Sequence, residues 1–225
     1  TPDKYTRRRR AEFDYTITDN GGSGIDRVTC RLNDEPINEF CRRGGKTYRN
    51  LADGSYRFRL VAYDRGGNSR SFTYTWTVDR VRPNIEVTRT PEEYSRDRTP
   101  TFRYDLSDDR SGIESVTCRL DGSEEQNCSQ QRERFRLEND GRYQFHLQVT
   151  DRAGNQRSYS YGWEFDSTDP TVTLNRAPPE ETSETGARFR FGANDGDGTG
   201  VDRLECQLNS SSPVECSSGV RFSDL

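Results

Sequence analysis

Six cysteines, and a set of acidic turns that recur with them, are the residues whose types and spacing could do chemistry in this chain. The cysteines fall as Cys30 with Cys41, Cys118 with Cys128 and Cys206 with Cys216, two at matched places in each copy of a repeated pattern. A zinc site would need clustered Cys-x-x-Cys pairs with histidine partners, and His146 is the only histidine. Three local disulfides are therefore the better reading. Each would close a loop of about 11 or 12 residues, worth roughly 3 kcal/mol in the chain-entropy account. That is a large share of the ~5 to 15 kcal/mol that holds a small domain folded. Thiols used in this way place the chain outside the cytosol.

The acidic turns come in two kinds. One holds Asp19, Asn20 and Gly24, then Asp108, Asp109 and Gly112, then Asn194, Asp195, Asp197 and Gly200; the other is Asp-Arg-x-Gly-Asn, at 64–68 and again at 151–155. Oxygen-rich turns of this composition could hold calcium. Asp, Asn and Gly are equally what tight turns require for capping and positive φ, with no ion involved.

Other candidates carry less. Arg7 to Arg10 form the sharpest charge run, a candidate surface for an acidic glycan, but its matches are Arg96, Asp97, Arg98 and Thr99 and then Ser183 to Gly186, so the run is no part of the repeat and also reads as a solvated loop. Asn127-Cys128-Ser129 and Asn209-Ser210-Ser211 are glycosylation sequons in a eukaryotic secretory setting. Trp76 and Trp163 could stack on sugars, yet their parity with Phe72 and Phe165 assigns them to a core. Tyr56 and Tyr143 read as packed residues whose hydroxyls bond back to the chain. For catalysis the sequence offers nothing: His146 has no matched serine, cysteine or metal partner, and no phosphate-cradling loop is present. The net charge of −4 argues against nucleic acid as a partner, because phosphate binding needs a positive excess.

These residues are positioned by a repeat. Trp76 returns as Trp163, a period of 87 residues; Val-Thr-Cys-Arg-Leu stands at 28–32 and 116–120, with Arg-Leu-Glu-Cys-Gln-Leu at 203–208. With 28% hydrophobic and 32% charged residues, one continuous core is excluded and several small half-exposed sheets fit. The 11% aromatic content, placed periodically, excludes disorder. Apolar residues alternate with polar ones, as at Tyr56, Phe58, Leu60 and Ala62, at Phe72, Tyr74, Trp76 and Val78, at Phe13, Tyr15 and Ile17, and at Tyr143, Phe145, Leu147 and Val149. The spacing predicts strands near 84–90, 100–107, 115–121, 124–128, 132–137, 142–150 and 157–166, seven to a unit, which is a β-sandwich. The cysteine pair then staples the third strand to the short segment after it. The landmarks give repeats at 1–80, lacking its first strand, 81–168, complete, and 169–225, lacking its last strands, and no stretch reads as a membrane insertion.

Cys-Arg-Leu-(Asp/Asn) with a second Cys about ten residues on, Asp-Gly-x-Tyr-x-Phe-x-Leu leading to Asp-Arg-x-Gly-Asn, and Trp-x-(Val/Phe)-Asp-x-x-x-Pro together resemble tandem Ig-like (fibronectin-III-like) repeats. Such repeats occur in large bacterial-type surface and adhesin proteins and in extracellular fibre proteins. The resemblance implies an all-β rod of seven-stranded Ig-like sandwiches, at the cell surface, with almost no linker at Asp79 to Pro83 and Asp166 to Pro170. It also implies that the acidic turns lie where the preceding unit enters. Asp79 with Asp108, Asp109 and Asp151, and Asp166 and Asp169 with Asp195 and Asp197, would then be calcium ligands at the joints, the second joint being the better candidate. Arg80, Arg82, Arg110 and Arg152 near the first joint would instead repel a cation and neutralise the carboxylates themselves. Apart from that ion no cofactor is expected. The function implied is a structural segment of an extracellular fibre or stalk, partnered by neighbouring repeats and by other copies or other extracellular proteins. The alternatives are an adhesion module that binds a glycan or protein through its loop ends, and a spacer in a large secreted enzyme.

Overall fold

A computed structural model describes residues 1–225 except 34, 36–40, 42–43 and 224. Among the described residues every regular element is a strand, and no helix is long and apolar enough to cross a membrane. The chain divides into two compact units. The first comprises Thr1–Thr88, Arg103–Arg132 and His146–Ser160; the second comprises Arg89–Phe102, Glu133–Phe145 and Tyr161–Leu225. This is a division by compactness, whereas 1–80, 81–168 and 169–225 is a division by recurrence.

In the first unit a four-stranded sheet runs in the order Tyr5–Thr6, Ser69–Val78, Gly54–Asp64, Ile25–Leu32. Its central pair is antiparallel from Gly54 opposite Val78 to Tyr63 opposite Ser69. A smaller sheet pairs Ala11–Phe13 with Lys46–Tyr48. Period-two alternation dictates what is buried: Phe58 and Leu60 are inside while Arg57 and Arg59 stay exposed. Phe13 stacks on Phe58 at 4.0 Å between ring centres and meets Trp76 edge-on at 5.4 Å. Fully burying side chains of this size contributes about 1.5 to 3 kcal/mol each, so this aromatic cluster is the main source of cohesion. The same parity fails at Phe72, which is 49% exposed. Its face is the right one, but it lies away from the Phe13–Phe58–Trp76 cluster, so facing inward does not bury it.

The second unit repeats the core. Phe102 stacks on Phe145 at 4.1 Å and meets Trp163 edge-on at 5.4 Å, with Phe165 and Leu137 fully buried beside them. Further along, Thr171–Arg176 pairs antiparallel with Arg190–Asn194, Ala187–Arg188 with Arg221–Phe222, and Glu205–Cys206 with Val214–Glu215.

The strands from 84 to 165 form a five-stranded sheet, Gln126–Asn127, Ile113–Leu120, Gly141–Asp151, Gln156–Phe165, Tyr94–Ser95, and a three-stranded one, Arg132–Arg134, Thr101–Ser107, Asn84–Arg89. Two sheets with this pattern of strands are an Ig-like arrangement. The strands lie where alternation predicts them, with one addition. Tyr94–Ser95 pairs parallel with Glu164 and Phe165, as Tyr5–Thr6 does with Thr77 and Val78. Two residues are too short for alternation to reveal. These small parallel strands decide where the last strand of a repeat delivers its final aspartate: the Asp79 N–H donates to the Thr6 carbonyl at 2.9 Å, and the Asp166 N–H to the Ser95 carbonyl at 3.1 Å.

Candidate joint site

The cysteines are joined as Cys30–Cys41, Cys118–Cys128 and Cys206–Cys216, with Cα atoms 5.7, 5.8 and 5.8 Å apart, and no cysteine is free. Cys118 sits in a strand whose Thr117 and Cys118 lie opposite Asn127 and Gln126, so the bridge holds a short edge segment against its neighbour. The Tyr104 hydroxyl adds to the clamp by donating to the Cys128 carbonyl at 2.6 Å.

The acidic turns build a more specific arrangement. Asp79 is fully buried. Its Oδ2 accepts the Ser111 N–H at 3.2 Å and the Ser111 hydroxyl at 2.7 Å, and its Oδ1 accepts the Val81 N–H at 3.0 Å. Its backbone carbonyl accepts Asn155 Nδ2 at 3.1 Å. The receiving loops are themselves braced. Asp108 Oδ1 accepts the Gly112 N–H at 2.7 Å, and Asp151 accepts both the N–H and the side-chain amide of Asn155 at 2.8 and 2.7 Å. Ser111, Asp151 and Asn155 are 2%, 1% and 5% exposed, so this is an interior network with nearly every polar atom satisfied.

The second joint repeats the chemistry with a threonine. Asp166 Oδ2 accepts the Thr199 N–H at 2.7 Å and its hydroxyl at 3.0 Å, Asp166 Oδ1 accepts the Thr168 N–H at 3.0 Å, and Asp195 Oδ2 accepts the Gly200 N–H at 2.7 Å. The hydrogen bonds from the Thr199 and Thr168 amides hold the Asp166 carboxyl below the usual carboxylate range. Gly112 and Gly200 take φ of 77° and 92°, the left-handed region that glycine enters freely, which turns the preceding Ser or Thr toward the incoming aspartate.

Of the residues expected at a calcium site, the structure gathers Asp79, Asp108 and Asp151, each offering an oxygen within 4.8 Å of the others. It also places Asp166 beside Asp195, whose Oδ1 is buried with no hydrogen-bond partner among the described residues. Asp109, Asp169 and Asp197 are exposed and lie outside both groups. The arginines do not neutralise the first group. Arg80 and Arg110 pair with Asp53 at 2.7 and 3.3 Å, and Arg152 with Glu114 at 3.8 Å.

Residue type alone does not mark Ser111 and Thr199 as partners of the aspartates. The signal was available, since Ser23-Gly24, Ser111-Gly112 and Thr199-Gly200 recur at one place in the repeat.

The remaining candidates take ordinary places. Arg7 to Arg10 are exposed, with Arg9 Nε donating to the Leu51 carbonyl at 3.1 Å and Arg10 paired to Glu12 at 3.0 Å. Asn127 and Asn209 are exposed. Trp76 and Trp163 are each 2% exposed, too buried to stack on a sugar. Tyr56 and Tyr143 donate to the carbonyls of Ala52 and Asn139, at 2.9 and 2.6 Å. His146 Nδ1 lies 2.9 Å from the Ser160 hydroxyl.

The strands from 84 to 165 thus form an all-β, Ig-like sandwich, and its aromatic core recurs at Phe13, Phe58 and Trp76. Residues 136–167 match the family model described as a bacterial Ig-like domain. Among solved structures, the fibronectin(III)-like modules of Clostridium thermocellum CbhA align over 72% of this chain and 87% of theirs, with 14% identity and a TM-score of 0.41. A tetra-tandem repeat from the extending region of a large adhesion protein aligns over 99% of this chain and 63% of its own length, with 15% identity and a TM-score of 0.32. Cadherin domains 3–6 of protocadherin gamma B2 align over 88% of this chain and 57% of theirs, with 13% identity and a TM-score of 0.36. This chain therefore spans less than two thirds of the length of the last two. No curated protein matches the sequence.

Proposed function

We propose that this chain is a segment of an extracellular spacer or stalk, in which Ig-like repeats are set end to end and latched. The observation that supports this most directly is the fully buried Asp79, which holds Ser111 and Asn155 across sequence separations of 32 and 76 residues. A flexible linker would leave such an aspartate in water. Its burial with its donors instead favours a joint that resists bending, and three disulfides suit a load-bearing element in an oxidising setting. The role is mechanical, and no catalytic role is proposed. Spin labels placed on either side of Asp79 test it: a narrow distance distribution that broadens in Asp79→Ala is expected. A broad distribution in the parent chain, or saturable binding of a glycan through the loop ends, would favour the adhesion reading instead.

One observation favours calcium as part of the joint. Asp79, Asp108 and Asp151 lie together, two of them almost fully buried, and no arginine or lysine pairs with them among the described residues. A divalent ion would neutralise charge that is costly to bury. Melting with calcium and with chelator tests this, and equal melting temperatures would remove the ion from the account.

A further inference from the structure

Each of the three repeats carries an acidic turn ending in Ser-Gly or Thr-Gly, and in two of the three that Ser or Thr donates to an incoming aspartate. The third is the turn of the first repeat, at Asp19, Ser23, Gly24, Asp64 and Asn68. Its internal bracing matches that of the filled loop at Asp108 to Asn155. The Gly24 N–H donates to Asp19 Oδ2 at 2.6 Å, Gly24 has a φ of 87°, and Asp64 accepts the N–H and the side-chain amide of Asn68 at 2.8 Å each. The bonds to Asn68 hold the Asp64 carboxyl below its ordinary range. The loop is built, not merely acidic.

What differs is the set of groups that point outward. In the filled loop the Ser111 N–H, the Ser111 hydroxyl and one N–H of Asn155 Nδ2 all go to Asp79. In the first repeat the Ser23 N–H, the Ser23 hydroxyl proton and the second N–H of Asn68 Nδ2 have no acceptor among the described residues; Ser23 Oγ accepts the Gly66 N–H at 2.9 Å, and its own proton is uncommitted. Burial follows occupancy. Ser111 and Asn155 are buried where Ser23 and Asn68 are exposed. Beside them opens a groove of about 550 Å³, bounded by Asp19, Asp64, Asn68, Ile17 and the exposed ring of Phe72.

We infer that this groove is the docking surface for a further repeat of the same kind, entering with the aspartate of a Trp-x-(Val/Phe)-Asp strand end. The three uncommitted donors are matched one for one to the carboxylate and carbonyl of that aspartate. The apolar wall at Ile17 and Phe72 offers area for the incoming repeat to cover. The inference rests on the latch geometry and not on the stalk reading, so the two can fail separately.

Thr1 of this chain corresponds to Thr90. A second copy of residues 1–89 placed ahead of residue 1 therefore continues the repeat in register and brings a new Asp79 to the groove. Amide exchange followed by NMR is the readout. The Ser23 amide and the Asn68 side-chain amide should exchange at least tenfold more slowly in the extended chain than in the parent. Asp79→Ala in the added copy alone should restore the parent rate at the Ser23 amide, whose acceptor is the carboxylate. Equal rates in the extended and parent chains, with the Ser111 amide still protected, would overturn the inference, as would slowing at Ser23 that survives the alanine. A paired Ser23→Ala, Asn68→Ala variant gives an independent check: it should lower the melting temperature of the extended chain and leave the parent nearly unchanged. An equal drop in both would again overturn the inference. Slow exchange at Ser23 in the parent chain that depends on its concentration would also overturn it, by showing a second copy in the groove.

Discussion

The two filled latches use one chemistry at different depths. At the first, Asp79 is fully buried and meets two loops, one through Ser111 and one through Asn155. At the second, Asp166 is half-buried and meets Thr199, which is exposed. The primary hydrogen bonds are alike in length, so the second loop supplies exclusion of water rather than a better acceptor. A charge-assisted hydrogen bond contributes more once shielded from water, and the loss of either partner then costs more. Burial rather than hydrogen-bond length is what differs between the two.

Removal of the aspartates gives the largest expected contrast. Asp79→Ala strands the Ser111 N–H and hydroxyl donors inside the protein and should destabilise the first unit by about 3 kcal/mol, read from the shift in urea midpoint. Asp166→Ala should shift it much less, because water replaces the lost acceptor. Equal shifts would end the distinction. Next in size, Asn155→Ala removes the second loop's contribution and should cost about 1 to 2 kcal/mol, whereas Asn68→Ala, in the exposed counterpart, should stay within about 0.5 kcal/mol. Gly198→Ala probes the second latch from within. A Cβ there would lie 2.5 Å from Asp195 Oδ2 and 2.6 Å from Asp166 Oδ2, so the carboxylates must part and the Thr199 amide should exchange faster than in the parent chain, while Ser111 is unaffected.

Acid gives the smallest effect. The Asp166 carboxyl is held below its unfolded value by the Thr199 and Thr168 amides. Its contribution is complete above the ordinary carboxylate pKa of about 3.9 and is lost as pH falls below that value through the folded one. Thr199 amide shifts should follow that titration. A transition above pH 5 would contradict the assignment.

Much of the fold was legible because strand alternation and cysteine spacing are local. Tyr143, Phe145, Leu147 and Val149 declare their face without reference to anything distant, and Cys118 and Cys128 are only ten residues apart. The latches were half legible. Asp79, Asp108 and Asp151 stood out as acids, and metal chemistry or arginine pairing were the natural roles for acids. The hydrogen bonds they make go to Ser111 and Asn155, types that every turn uses, and those from residue 79 close over 32 and 76 residues. Phe72 shows the complementary limit: parity tells which face a residue takes, not whether a neighbour arrives to cover it.

The local bridges also set how far a repeat can lengthen when pulled. Each closes a segment with a sequence separation of ten or eleven residues, and at about 3.4 Å per extended residue that withholds on the order of 30 Å of contour length from an unravelling domain. In reducing surroundings the same chain would yield that length under tension, so the redox state of its environment governs how much slack each broken module can release.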